Sequence, residues 1–290
     1  MDKRSLNMPS SVFRGIRLAL HVLYGMLLAI FYPHLNQTRQ RRILRAWSRQ
    51  LLDILNIGIR TEGARLVHGE IGCLIVANHI SWLDVFVLNA IYPSRFIAKA
   101  EVRNWPLIGW LCKRSDTIFI EHAMRQDAAS VNLRVSALLK QGVCVRLFPE
   151  GATTDGKQVW HFRSALIQSA IDAGARLCPI ALCYLDEEGE LNAAAAFIGD
   201  TTLTQSIWQI LRCQQLDALM VFTPALTTVN GNRRLLARTA QEAISQGLQN
   251  IAAWRQVPKQ KATSAIPQEL LSAQSAYGSL FLPLPNQTHK

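Results

Sequence analysis

Short apolar runs alternate with longer amphipathic stretches along most of this chain. The apolar runs predict seven strands, near residues 58–61, 71–77, 95–98, 117–120, 143–148, 177–184 and 218–222. The stretches between and after them predict helices near residues 82–91, 106–114, 125–141, 163–173, 203–213 and 232–254. This alternation is typical of an α/β fold, in which a mostly parallel central sheet is flanked by helices.

The first 56 residues follow a different pattern, in which basic clusters bracket one apolar run. Leu18 to Tyr32 is apolar apart from His21, and Pro33 ends the run. Residues 1–50 carry nine Lys or Arg against one acid, so +8 of the chain's net charge of +11 lies at this end. We expect an antiparallel hairpin, made of a helix at 13–32, a break at 33–36 and a basic amphipathic helix at 37–55.

Three placements compete for the apolar helix: spanning a membrane, lying in one leaflet, or packing in a soluble core. The flanking cations favour contact with an anionic membrane surface. The run is barely long enough to span, because about 20 apolar residues are needed. We therefore expect a membrane-embedded hairpin in one leaflet. The predicted organisation is a membrane-anchoring hairpin at 1–56, an α/β domain at 57–255 and a disordered tail, rich in Pro, Ser and Gln, at 256–290.

An imidazole and a carboxylate five positions apart follow the second predicted strand. His79 lies just past the end of the strand, and Asp84 falls on the first turns of the next helix. Ligands of open α/β sheets bind at the carboxyl ends of the strands. A carboxylate bonded to one ring nitrogen leaves the other free to accept a proton, which is the arrangement of a general base with its orienting partner. A histidine at a strand end is, taken alone, more often a structural hydrogen-bonding residue.

A second motif, Phe148-Pro149-Glu150-Gly151, follows the fifth predicted strand. Pro149 and Gly151 favour a turn, so Glu150 is held at the rim of the sheet rather than on a solvated helix face. In isolation this would be an ordinary turn with an exposed acid. On a parallel sheet that also carries His79, it is better interpreted as the other wall of one site.

Four segments, taken in order, make the sequence recognisable. His79-x4-Asp84, residues 117–121, the turn at 148–151 and Cys178-Pro179-Ile180 resemble the four sequence blocks of the glycerolipid acyltransferase family. Residues 95–99, 105–110 and 198–203 resemble a bacterial subgroup that includes lyso-ornithine lipid O-acyltransferases. The resemblance implies transfer of a fatty acyl group from a thioester to the free hydroxyl of a lysolipid, typically 1-acylglycerol-3-phosphate.

Two departures from the family pattern concern the acceptor. Lysophosphatidate enzymes usually end the second block in Arg and continue the third as Gly-Thr-Arg-Ser, where this chain has His122 and Ala152-Thr153-Thr154. Arg gives phosphate a permanently charged fork, whereas His is only partly charged near neutral pH. We therefore expect weakened phosphate recognition. The candidate acceptor-binding residues are Glu150, Gly151, Thr153, His122, Lys99 and Arg163, with Arg103, Lys113 and Arg114 as further cations that are solvated surface charges by default.

The resemblance implies direct transfer, with His79 taking the hydroxyl proton and Asp84 stabilising the imidazolium. Backbone N–H groups near Gly151 or at a helix start are candidate donors to the carbonyl oxygen. No metal or cofactor is expected, since the six cysteines lack metal-type spacing and are typical of reduced thiols. The acyl donor is left open between acyl carrier protein and coenzyme A. Candidates for an apolar acyl channel, with core packing as the alternative, are Trp82, Phe86, Trp105 and Trp110.

Two other classes of function are disfavoured. A lipid hydrolase would need a nucleophile, and Ser81 lies near the base, but the chain has no Gly-x-Ser-x-Gly elbow. A non-catalytic module that binds lipid or nucleic acid would explain the charge but not the His79, Asp84 and Glu150 motifs. The cations surround an apolar segment rather than alternating with stacking aromatics, so nucleic acid is not an expected partner. The expected partners are the bilayer, a lysolipid and a thioester, at the cytoplasmic face of a bacterial inner membrane.

Overall fold

A mixed seven-stranded sheet organises the part of the chain described by the computed structural model, residues 6–63, 72–105, 107–120 and 125–256. The strands are β1 (Ile57–Glu62), β2 (Leu74–Ala77), β3 (Arg95–Lys99), β4 (Ile118–Ile120), β5 (Val145–Leu147), β6 (Leu177–Leu185) and β7 (Leu216–Phe222). Their order is β1-β7-β6-β2-β5-β3-β4. Only the β6–β7 pair among them is antiparallel. The predicted α/β class and mostly parallel sheet are confirmed.

Helices cover both faces of the sheet. They are α1 (Met8–Phe31), α2 (Gln37–Leu55), α3 (Asp84–Ile91), α4 (Ile108–Arg114), α5 (Arg125–Lys140), α6 (Gln168–Ala173), α7 (Leu203–Arg212) and α8 (Arg233–Gln256). Apolar side chains of α2, α3 and α7 pack on one face, and those of α5, α6 and α8 pack on the other. The central strand β2 is buried on both faces, which explains why its sequence is an unbroken apolar run.

The N-terminal hairpin has the predicted helices and break, with a one-turn 3-10 helix at Tyr32–His34 between them. Helix α1 begins at Met8 rather than near 13, because the Asn7 side chain accepts from the backbone of Ser10 and Pro9 fits the first turn. The His21 ring stacks on Trp47, with centroids 4.8 Å apart. Gly25 permits this approach, since a Cβ there would lie 2.6 Å from the Trp47 indole nitrogen.

Helix α2 is more deeply integrated than a helix lying in a leaflet would be. Leu51, Leu52 and Leu55 are almost completely buried in the core beneath the sheet. Two cations of this helix also bond to the end of α3: Arg45 donates to the carbonyl of Ile91 and Arg49 to that of Ala90, at 3.0 and 3.1 Å. The second half of α2 therefore packs as a layer of the α/β fold through its leucines.

Helix α1, in contrast, exposes apolar side chains at the protein surface. Phe13, Leu20, Leu27 and Phe31 are each at least 60% exposed. In the described part of the chain, this is the one helix long and apolar enough to cross a membrane. Residues up to 254 form one compact unit, and the tail predicted at 256–290 lies outside the described residues from position 257 onward.

Candidate active site

His79 lies where the chain leaves the central strand β2. The preceding residue, Asn78, fixes that exit: its amide donates to the carbonyl of Leu182 at 2.9 Å and accepts from the Leu182 N–H at 2.7 Å. The chain then turns, and His79 Nδ1 comes within 2.8 Å of Asp84 Oδ2 on the first turn of α3. The two residues singled out by the sequence motif are thus in direct contact.

Asp84 is completely buried, and four donors compensate for the loss of water around its carboxylate. Oδ2 accepts from His79 Nδ1 and from the backbone N–H groups of Ile80 and Ser81 at 2.7 and 3.0 Å. Oδ1 accepts from the Tyr184 hydroxyl at 2.7 Å. Burial and the nearby Asp84 raise the pKa of Tyr184 well above its ordinary value, so the phenol stays neutral and donates.

A stacking contact holds the His79 ring in addition to its hydrogen bond with Asp84. The ring stacks on Phe148, with centroids 3.9 Å apart and planes within 6° of parallel. An ionised carboxylate only accepts hydrogen bonds, so Nδ1 carries the proton that faces Asp84 and Nε2 is left to accept one. The His79 side chain remains 19% exposed, which gives a substrate access to the ring.

The Glu150 carboxylate bridges two backbone segments, one at His79 and one at Trp160, farther along the loop that Glu150 begins. Oε2 accepts from the His79 N–H at 2.6 Å, and Oε1 accepts from the Trp160 N–H at 2.8 Å. Burial raises the pKa of Glu150 to about 7, although these two bonds act in the opposite direction. Because both oxygens are occupied and the residue is buried, the geometry favours a role in holding the loop over direct contact with an acceptor.

Arg163 lies over the Gly151 turn. The backbone of Gly151 has φ +76°, and a Cβ there would sit 3.1 Å from the Arg163 guanidinium carbon. The Gly151 N–H donates to the carbonyl of Phe148 at 3.2 Å, so this N–H group is already bonded within the turn. The Thr153 hydroxyl likewise donates to the carbonyl of Phe197. Of these residues, exposed Arg163 is the one left to bind a ligand.

The other candidate cations lie on other elements. Lys99 ends β3, two strands away from β2 on the same rim. Arg103 lies over the Phe119 ring and Arg114 over the Trp110 ring. His122 lies outside the described residues.

Three further residues lie in or against the core. Trp82 donates to the Ser206 hydroxyl at 3.0 Å and packs edge-on against Phe86, and both rings are partly buried against the core cluster. Ser81 is completely buried, which removes it as a hydrolase nucleophile. Within the described ranges, no group of three or more His, Cys, Asp or Glu side chains could hold a metal ion.

Sequence reasoning missed Tyr184 and Trp160. Tyr184 follows the fourth block on β6 at no recognisable spacing, and it reaches Asp84 only because β6 is paired directly with β2. Trp160 contributes a backbone N–H, which leaves no mark in the side-chain pattern. The available signal for Tyr184 was a polar-tipped ring in an otherwise apolar strand.

Known proteins resemble this chain both in sequence and in fold. The profile of the acyltransferase family matches residues 58–183. A 1-acyl-sn-glycerol-3-phosphate acyltransferase of Neisseria meningitidis is 38% identical over 186 residues, 64% of this chain and 72% of that protein. A lyso-ornithine lipid O-acyltransferase of Pseudomonas aeruginosa is 35% identical over 214 residues, 74% of this chain and 81% of that protein.

A solved structure gives the same picture of the fold. The crystal structure of the 1-acyl-sn-glycerophosphate acyltransferase of Thermotoga maritima superposes with a TM-score of 0.58, covering 83% of this chain and 98% of that one at 19% identity. The sequence matches cover most of the length of both bacterial relatives. On that sequence evidence, this chain belongs to the acyltransferase family.

Proposed function

We propose that this chain transfers a fatty acyl group from a thioester to the free hydroxyl of a lysolipid. One observation carries the proposal: a partly exposed imidazole at the rim of the sheet has one nitrogen bonded to a buried carboxylate. Such a ring is a general base for a hydroxyl, which is a poor nucleophile until its proton is removed. Both bacterial relatives described above carry names of lysolipid acyltransferases.

In the proposed reaction, Nε2 of His79 takes the proton of the acceptor hydroxyl as its oxygen attacks the thioester carbonyl carbon. A C–O bond forms, the C–S bond breaks, and the imidazolium returns the proton to the departing thiolate. Asp84 stabilises the imidazolium between these steps, and Tyr184 keeps that carboxylate in place. The reaction balances with the thioester and the lysolipid alone.

The test of the mechanism is His79→Ala in the full chain. We expect loss of acyl transfer by about a thousandfold or more, since general base catalysis and its orienting partner are removed together. Binding to lipid vesicles should be unchanged. His34→Ala, at an exposed position in the hairpin turn, is the matched control and should turn over normally. Turnover by His79→Ala at the normal rate would refute the mechanism.

Among the candidate cations that the structure describes, Arg163 is the one shown beside the Gly151 turn. The Thr153 hydroxyl is occupied, and Lys99 lies two strands away from β2. A single exposed Arg binds a phosphate monoester less firmly than a cluster of cations would. We infer that lysophosphatidate is not the only good acceptor and that lyso-ornithine lipid is the other candidate.

Purified protein assayed with each lysolipid and one acyl donor decides this question. Arg163→Gln should raise the KM for an anionic acceptor about tenfold, the order expected for one charge-assisted bond. Lys157→Gln, an exposed cation on the same loop paired with Asp155, is the matched control and should leave KM within twofold. An exclusive preference for lysophosphatidate would overturn the inference about the acceptor.

Attachment to a membrane would bring a lipid hydroxyl to this site. The exposed apolar side chains of α1 support a helix lying in one leaflet, and we place it at the cytoplasmic face of the inner membrane. The acyl donor is the thioester of either acyl carrier protein or coenzyme A. Initial rates measured with each thioester at equal acyl chain length distinguish the two donors.

A further inference from the structure

An apolar groove runs between α1 and the loop that leads into α4. Its volume is about 390 Å³, and its walls are the side chains of Leu23, Met26, Leu27, Ile30, Leu107 and Trp110. The wall residues of the groove are all apolar, and those of α1 continue into its exposed apolar surface. A groove of this composition in water is unfavourable unless something covers it.

The residues on the α4 side of the groove are presented outward by a tightly folded backbone. Leu107 has φ +61°, a backbone conformation that is unfavourable for a residue with a Cβ. Its side chain is nevertheless 56% exposed, so burial of that side chain does not repay the cost. Gly109 allows the fold, because a Cβ there would collide with the carbonyl oxygen of Arg103. The backbone therefore holds an apolar side chain out toward the solvent.

Aromatic rings and cations lie close to Leu107 in the chain. Trp105 and Trp110 are 38% and 37% exposed. The Arg114 guanidinium lies 5.6 Å from the Trp110 ring centroid, and Arg103 lies 4.8 Å from that of Phe119. Tryptophan at the edge of an apolar patch, with long cationic side chains beside it, is typical of the interface between lipid headgroups and acyl chains.

We propose that residues 100–105 and 107–114 form a second bilayer-binding element, which docks with α1 as one surface onto an anionic leaflet. This proposal rests on the membrane attachment of α1 proposed above and is independent of the acyl transfer chemistry. We name Trp105, Leu107, Trp110 and the exposed apolar side chains of α1 the docking surface.

The charge pattern favours a leaflet over the other possible occupants. A second copy of this chain would place Arg103, Lys113 and Arg114 opposite the same cations across a symmetric contact, which is unfavourable. An acidic carrier protein would satisfy the cations but would leave the long apolar face of α1 in water. Only a bilayer with anionic headgroups matches both parts.

The test measures binding of the full chain to vesicles by flotation, using phosphatidylcholine alone or mixed with phosphatidylglycerol. Leu107→Ser and Trp110→Ser should each weaken binding to the mixed vesicles about tenfold, because each removes one large apolar side chain from the bilayer. Leu133→Ser, an equally drastic change at a more exposed leucine on α5, is the matched control and should change binding less than twofold.

A charge variant tests the anionic part of the surface. Arg114→Gln should weaken binding to phosphatidylglycerol vesicles about fivefold, with little effect on phosphatidylcholine vesicles, since one cation near an anionic surface contributes about that factor. The thermal midpoint of each variant checks that the protein is folded. If one variant does not fold, the others still decide the question.

Two outcomes would overturn the proposal. If Leu107→Ser and Trp110→Ser bind vesicles like the parent protein while Leu27→Ser does not, α1 docks alone. If they instead convert an oligomer to a monomer in gel filtration, the surface binds a second copy. His79→Ala separates this proposal from the proposed function, because that variant should bind vesicles fully even though it cannot transfer an acyl group.

Discussion

Asp84 combines complete burial with a negative charge, and its four donors are what make that combination tolerable. Three of them, the His79 ring and the N–H groups of residues 80 and 81, come from the same turn, whereas Tyr184 reaches it from another strand. The Tyr184 hydroxyl is therefore the contact that ties the orientation of the carboxylate to the sheet.

Tyr184→Phe removes that contact with little change in volume. We expect kcat to fall about tenfold, the order of one hydrogen bond to a charged acceptor, with KM nearly unchanged because no acceptor contact is lost. Asp84→Asn should lose far more, because an amide cannot hold the ring in the same way. A kcat for Tyr184→Phe equal to that of the parent protein would contradict the role assigned to this hydroxyl.

Glu150 makes stability depend on pH with an unusual sign. Its pKa rises from 4.5 to about 7 on folding, so between these values the folded protein binds more protons than the unfolded one. Stability therefore falls as pH rises through 7, by up to about 3 kcal/mol for a shift of this size. Denaturant unfolding at pH 5 and pH 8.5, compared between parent and Glu150→Gln, should show the parent losing stability relative to the variant. An equal loss in both proteins would assign the pH dependence to other groups.

Short-range motifs could be predicted from the sequence, and contacts that depend on closure of the fold could not. His79, Asp84 and Glu150 were found because their spacing and turn residues are local. Arg146 shows the limit: it lies in a run predicted to be a buried strand, yet its buried guanidinium donates to the carbonyls of Val85 and Tyr92 on and after α3. These hydrogen-bond acceptors come near Arg146 only when β5 and α3 pack together, so the local sequence could not reveal them.

At the level of elements, the apolar pattern located each strand to within about three residues. The strands β2, β5 and β6 are buried on both faces, so most of their residues are apolar and their runs stand out in the sequence. The packing of α2 could not be predicted from its charge. A row of arginines is typical of a lipid-facing helix, but two of these arginines satisfy carbonyls at the end of α3.

Two glycines on α1 give a matched test of how this helix is held. Gly25→Ala should lower the thermal midpoint, because its new methyl group would displace the Trp47 ring from His21 and overpacking costs about 1–3 kcal/mol. Gly15→Ala should raise it, because its Cβ would meet Leu211 at an ordinary 3.5 Å and alanine is the better helix former. Calorimetry in one detergent measures both. A higher midpoint for Gly25→Ala would show that α1 and α2 do not pack as described.

For the whole molecule, the decisive question is where the α/β domain begins. The sequence places the boundary at residue 56, yet the final turns of α2 lie in the same apolar cluster as α3 and β1. The hairpin therefore has two unequal parts: α1, with its exposed apolar side, and α2, with its buried leucines.

Removal of residues 1–56 should consequently leave a chain that does not fold, rather than a soluble enzyme. Leu51, Leu52 and Leu55 are at most 2% exposed, and burial of each contributes about 2 kcal/mol, a large part of the roughly 5–15 kcal/mol that stabilises a typical domain. A variant with Leu20 and Leu27 changed to Ser should stay folded and lose only vesicle binding, since both side chains are exposed. Circular dichroism through a thermal ramp compares the two proteins. Cooperative unfolding of the truncated chain would place the domain boundary at residue 56 after all, with α2 an appendage of the fold instead of one of its layers.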